Sequence, residues 1–198
     1  MDGVYGTVTE TGEQARRLRP YIPETDFDAI RTWITDPRTH ALWCAGRFDY
    51  PLSREGFDEK LRDYRTRNGD APFVAVGDDG RPVGFFCYSL RPDTNTGRLA
   101  FVVVDPALRG RGYGKAMLKL AADYAFAVGG ADAVRLSVFT GNTRAEKCYE
   151  SVGFREEKTD PDAFTYRDES WGRRSMLLRK GSREIGMDIG HRGGCGEP

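Results

Sequence analysis

The stretch that decides the fold runs from 99 to 128: LAFVVV (99–104), DPAL (105–108), RGRGYG (109–114) and KAMLKLAADYAFAV (115–128). An apolar, β-branched run, a glycine-rich turn and a helical pattern follow one another. In the last, Met117, Leu120, Ala121, Tyr124, Ala125 and Val128 fall at i, i+3, i+4, i+7, i+8 and i+11. Three glycines in the hexapeptide let the backbone approach a ligand with no Cβ in the way. They also leave the first amides of the following helix unpaired, and an anion belongs at such a terminus. Arg109 and Arg111 flank those amides and can add charge-assisted bonds to phosphate oxygens. Taken alone, the hexapeptide also reads as a plain turn with solvated arginines.

Two commoner nucleotide motifs fail. A P-loop needs one more residue between Gly110 and Gly114-Lys115, and Ala116 replaces the hydroxyl residue that would hold magnesium. The dinucleotide fingerprint fails because Gly110 and Gly112 are followed by Gly114, not by a glycine at 115. The pattern that fits is [QR]-x-x-G-x-[GA], filled by Arg109, Gly112 and Gly114, and it resembles the pyrophosphate-binding motif of the GNAT superfamily of acetyl-CoA-dependent N-acyltransferases. A second segment, LSVFTGNTRAEKCYESVGF (136–154), is similar to that family's strand, asparagine loop, helix and Gly-Phe turn, with Asn142 and Tyr149 at the family's spacing. The resemblance extends over residues 17–180.

The resemblance implies an α/β (α+β) three-layer fold: a mixed, mostly antiparallel twisted sheet of six to seven strands, flanked by helices on both faces. It implies an enzyme, an N-acetyltransferase that moves the acetyl group of acetyl-CoA to a primary amine by direct attack. The cofactor site would comprise Arg109, Gly110, Arg111, Gly112, Tyr113, Gly114 and Lys115 around the phosphates, and the backbone of Val102, Val103 and Val104 along the pantetheine and thioester. Asn142 would belong to the same site, or act only as a helix N-cap, or do both. Tyr149 matches the general acid of relatives. A phenol of pKa about 10 and a thiol of about 8.5 are close enough for proton transfer as the thiolate leaves. Its alternative is an amphipathic-helix tyrosine packed on the sheet. The chain departs from the pattern at the general base, because Ser137 stands where some ribosomal-protein acetyltransferases carry a glutamate. The rival reading is a non-catalytic acyl-CoA-binding module.

Composition sets the remaining bounds. A length of 198 residues suits one core, and 30 basic against 30 acidic residues leave no net charge to draw the chain to nucleic acid or an anionic membrane. Cys44, Cys87, Cys148 and Cys195 are isolated, and there is no histidine pair at ligand spacing, so neither a metal site nor a disulfide framework is expected. With no apolar run of membrane-spanning length and no signal-peptide core, the expectation is a soluble, cytoplasmic protein, monomeric or homodimeric. Residues 1–16 read as a flexible leader, 17–180 as the N-acetyltransferase domain, and 181–198, with His191 and Cys195, as a disordered or vector-derived tail.

Along the chain, LRPYIP (18–23) reads as a first strand and Thr25 with Asp28 as a capping-box start for a helix carrying Phe27, Ile30, Trp33 and Ile34. Ser53 caps a second helix that ends at Asn68-Gly69. Between them, DPRTHALWCAGRFDYPL (36–52) reads as loop. Next comes a hairpin whose tight turn takes its positive φ angles from Asp79-Gly80, then a third antiparallel strand, a crossover helix and a parallel strand at 134–138. By elimination the amine pocket falls to 36–52, Tyr88 and 163–171, with Trp43, Asp49, Tyr88 and Glu169 as candidate substrate-binding residues. Core packing for the aromatics and solvation for the acids stay open as alternatives.

Overall fold

A computed structural model describes Ala15 and residues 17–181. Elements follow in the order β1 (Arg17–Pro20), α1 (Pro23–Thr32), α2 (Pro37–Cys44), α3 (Arg54–Asn68), β2 (Ala71–Val76), β3 (Pro82–Arg91), β4 (Thr96–Val104), α4 (Tyr113–Ala127), β5 (Ala133–Phe139), α5 (Thr143–Val152), β6 (Arg155–Tyr166) and β7 (Glu169–Arg179), with a single 3₁₀ turn at Pro106–Leu108. The seven strands form one sheet in the order β1-β2-β3-β4-β5-β7-β6. All neighbours are antiparallel except β4 and β5, which the crossover through α4 makes parallel. The mixed, mostly antiparallel sheet is the one expected.

Two cores cover its faces. Phe73, Ala75, Phe86, Leu99, Leu136 and Val138 face α4 and α5, where they meet Met117, Leu120, Ala121, Tyr149 and Val152. Val74, Val76, Phe85, Cys87, Phe101 and Val103 face α1 to α3, where they meet Ile30, Trp33, Phe48, Phe57 and Leu61. The alternation along β2 is the strand period at work, one side chain to each layer. Close approach of α4 depends on Gly84, where a Cβ would lie 2.5 Å from the Met117 sulfur.

Three local expectations are corrected. The stretch 36–52 contains a helix, α2: the Asp36 carboxylate accepts the amides of Arg38 and Thr39 at 2.9 and 3.0 Å, and Pro37 occupies the first helical position. At α1 the N-cap is Ile22, not Thr25. Buried Asp26 reaches back to accept the Ile22 amide at 2.8 Å while holding both Arg19 nitrogens at 2.6 Å. In the β2–β3 turn only Gly80 takes a positive φ, +77°; Asp79 instead accepts the Arg81 amide at 3.0 Å.

The feature that positions the site is a parting of the sheet. β4 and β5 pair only from Thr96–Arg98 to Ala133–Arg135, and beyond that the strands diverge. At the closed end Asn95 ties the strands together, donating to the Gly130 carbonyl at 3.0 Å and the Asp132 carboxylate at 2.8 Å. The divergence coincides with a bulge. Ala100 pairs Cys87 and Val103 pairs Phe85, so Phe101 and Val102 together oppose Phe86, and Phe101 sits at φ +54°. A bulge bends and twists its strand, which turns the end of β4 away from β5.

Candidate active site

The left-handed backbone at Phe101 is unfavourable for a residue with a Cβ by about 1 to 2 kcal/mol, and its surroundings hold it there. Its ring packs 4.8 Å from Phe48 and 5.4 Å from Tyr64, and the indole N–H of Trp43 donates to its carbonyl at 2.9 Å. Trp43 stacks on Phe48 at 5.1 Å. α2, which sequence reading took for loop, therefore fixes the edge of the split.

A cavity of about 870 Å³ fills the split, lined by β4 on one side and β5 on the other. At one end stands the glycine turn. Gly110 and Gly112 adopt φ of +82° and +88°, and Gly112 is the N-cap of α4 with no side-chain cap, so the amides of the first turn stay open to the cavity. A Cβ on Gly114 would lie 3.2 Å from the Cys148 sulfur, so that glycine sets how closely α4 and α5 converge. Asn142 caps α5 through its carbonyl oxygen, which accepts the Ala145 amide at 3.2 Å, and it also lines the cavity.

Charge is concentrated at this end. Lys115 and Arg144 stand in the first turns of α4 and α5 and line the cavity with Arg109. A Cβ on Gly110 would meet the Arg144 guanidinium at 3.4 Å. Cations in the first turn of a helix oppose its dipole and are tolerated best where an anion comes between. Burial, and then the like charge of Arg144, push the pKa of Arg109 down. None of the three has an ion-pair partner among the described residues.

Tyr149 projects from α5 to the cavity wall, and burial, helped by Cys148, holds its phenol well above the ordinary value, so it remains protonated. Cys148 beside it is pushed up by burial more than Lys115 and Arg144 pull it down, which keeps it a thiol. Val102, Val103 and Val104 line the opposite wall.

Of the sequence candidates, Arg109, Gly110, Gly112, Gly114, Lys115, Asn142, Tyr149, Val102 to Val104 and Trp43 meet in this cavity. Arg111 and Tyr113 do not line it: Arg111 is exposed, and Tyr113, the first residue of α4, is buried in the core between that helix and the sheet. The other three substrate candidates lie outside it. Tyr88 is buried on the α4 side of the sheet, edge-on to Tyr124 at 5.5 Å. Asp49 is exposed near the start of α3, its carboxylate 3.7 Å from where a Gly56 Cβ would be. Glu169 is bound to Arg38 at 2.6 and 2.8 Å and to the Trp171 N–H at 2.9 Å. Those bonds, that to Arg38 first, hold its pKa down to about 2, so it is a poor base.

Sequence reading missed Arg144, although a cation in the first turn of a helix is a local signal. It also missed Arg47, Arg98, Arg135 and Arg173, which come to the cavity from four elements or their ends. Seven cationic side chains thus line it, with no Asp, Glu or His among the described residues. No group of three or more His, Cys, Asp or Glu there is placed to hold a metal ion, and no helix there is long and apolar enough to cross a membrane.

Comparison with known proteins agrees with the fold. The model of the acetyltransferase (GNAT) family matches residues 27–154. A mycothiol acetyltransferase of Beutenbergia cavernae is 38% identical over 150 residues, covering 72% of this chain and 50% of that protein. An uncharacterized N-acetyltransferase of Methanocaldococcus jannaschii is 32% identical over 92 residues, 46% of this chain and 58% of that one. The chain spans about half the length of these curated relatives. Among solved structures, the spermidine N-acetyltransferase of Vibrio cholerae in complex with CoA and spermine superposes with a TM-score of 0.69 at 20% identity, over 82% of this chain and 94% of that one. The ribosomal-protein-S5-alanine acetyltransferase of Vibrio fischeri superposes with 0.70 at 15% identity, over 91% and 98%. With the split sheet, the glycine turn and the family match over most of its length, the chain belongs to the GNAT acetyltransferase family.

Proposed function

We propose that the protein transfers the acetyl group of acetyl-CoA to a primary amine by direct attack within a ternary complex. The observation that carries this reading is the meeting of two helix N-termini, Lys115, Arg144 and Arg109 at one end of the parted strands, with Tyr149 on the wall beside them. The open amides of α4 and the three cations would hold the pyrophosphate. The free edge of β4 at Val102 to Val104 would align the pantetheine and polarise the thioester carbonyl through a backbone amide.

The amine nitrogen then bonds to the carbonyl carbon, the C–S bond breaks, and Tyr149 gives its proton to the departing thiolate; solvent returns it. Burial keeps the phenol protonated in the resting site and makes it a weaker acid than a free phenol, so the proton passes only as the C–S bond breaks and charge develops on sulfur. Cys148, kept as a thiol, has no part as a nucleophile. No carboxylate or imidazole lines the cavity; the positive surroundings lower the pKa of a bound ammonium so that the amine enters neutral, and the proton it loses after attack passes to solvent, which in turn reprotonates Tyr149.

Calorimetry and a thiol-release assay with an amine panel test this together. CoA is expected to bind where ATP and NAD do not. Tyr149→Phe is expected to lower kcat roughly 10²-fold with CoA affinity intact. A protein that binds no CoA, or whose Tyr149→Phe variant keeps full kcat at saturating amine, does not work this way.

A further inference from the structure

The seven cations of the cavity fall into three groups. Arg109, Lys115 and Arg144 surround the glycine turn and answer the charge of a CoA pyrophosphate. Arg98 and Arg135, at the closed end of the split, are already neutralised: Arg98 by buried Asp70 at 3.0 Å, Arg135 by Glu157 through two bonds of 2.9 Å. Arg47 and Arg173 remain. The Arg47 guanidinium donates only to the Cys44 carbonyl, at 3.3 Å, and the Arg173 side chain, whose backbone pairs with Phe139 and Asp160, makes no hydrogen bond or ion pair among the described residues.

Strand alternation sets which side of the sheet Arg173 serves. Its neighbour Arg174 pairs with Glu146 of α5, while Trp171, two residues back, packs with Ala41 of α2. Arg173 therefore faces the α2 side, where Ser175 and, on the paired strand, Ser137 also line the cavity. Arg47 follows α2 on that same side. Two guanidinium groups with no ion pair among the described residues thus line the cavity from the α2 face of the sheet, opposite α4 and α5.

We infer that the acceptor is a primary amine that also carries an anionic group, carboxylate or phosphate, held by Arg173 and Arg47. The inference rests on the acetyl transfer proposed above and narrows its substrate. Planar guanidinium forks suit either anion, and Ser137 and Ser175 offer hydroxyls to complete its shell. A polycation would bring more positive charge to a cavity wall that carries no carboxylate of its own.

Arms of the test separate the two anions and the two readings. The protein is assayed with amino acids, the same amino acids as carboxamides, amino-sugar phosphates and spermidine, by thiol release from acetyl-CoA and, when loaded with CoA, by calorimetric binding. An anionic amine is expected to have at least a tenfold higher kcat/KM than its neutral counterpart. Amino acids against amino-sugar phosphates then identify the anion. Arg173→Gln and, independently, Arg47→Gln are expected to raise KM for that amine tenfold or more with KM for acetyl-CoA unchanged, and Arg173→Glu to move preference toward spermidine. Carboxamides or spermidine used as well as the anionic amines, or no anionic amine bound or turned over by a protein that does bind CoA, overturns the inference alone. Failure to bind CoA overturns the transferase reading beneath it.

Discussion

Trp43 stacks on Phe48 and donates its indole N–H to the Phe101 carbonyl, so one ring both packs against the core and fixes the bulge of β4. Trp43→Phe keeps most of the stack and leaves that carbonyl without its donor. The expected loss is about 1 kcal/mol of stability, read by urea denaturation, with a fall in kcat larger than any rise in KM for acetyl-CoA. Gly112 stands at φ +88° where the helix opens, and Gly112→Val combines backbone strain with a side chain where the pyrophosphate is proposed to lie. Calorimetry should find CoA binding abolished. His40 is buried among Trp43, Tyr50 and Cys44, and burial lowers its pKa below 6.5, opposed in part by the Phe48 carbonyl and Asp49. The sign follows from linkage: the unfolded chain protonates His40 as pH falls through 6.5 while the folded chain does not, so stability is full above 6.5 and is lost below it. Denaturation at pH 7.5 and 5.5 should show that fall, and His40→Gln should flatten it.

At the scale of elements, the crossover helix, the parallel strand and the glycine turn were legible because each is written in contiguous residues: a period of 3.6, a β-branched run, a fixed glycine spacing. Asn142 and Tyr149 were legible for the same reason, lying seven residues apart on one loop and helix. α2 was hidden because eight residues with two aromatic or imidazole rings, His40 and Trp43, and no sustained apolar face resemble loop; only Asp36-Pro37 marked its start. Tyr88 was misplaced because β3 is buried on both faces, so alternation cannot tell the α4 side from the other. Of the missed arginines, Arg98, Arg135 and Arg173 became neighbours through the register of β5 with β7 and of β4 with β5, neither of which a single sequence states. Asp36 tests the short helix: Asp36→Ala removes its cap, and about 1 kcal/mol of stability should go with it. Activity should fall further than stability, because α2 carries Trp43.

Across the whole molecule, the sheet is continuous from β1 to β6 only through the three residue pairs at Thr96–Arg98 and Ala133–Arg135. Past them, the edges of β4 and β5 that face each other have donors and acceptors with no strand opposite. A ligand lying in that gap would supply the missing rung, and its effect should then be read in hydrogen exchange as well as in affinity. Amides of 99–104 and 136–139 that face the gap are expected to exchange faster than their neighbours facing β3 and β7, and to slow selectively when CoA is added. Uniform slowing across both faces would mean general stabilisation only. Two halves joined by so short a seam need not open together, so in the ligand-free protein β1 to β4 and β5 to β7 should appear as two cooperative units that saturating CoA merges into one.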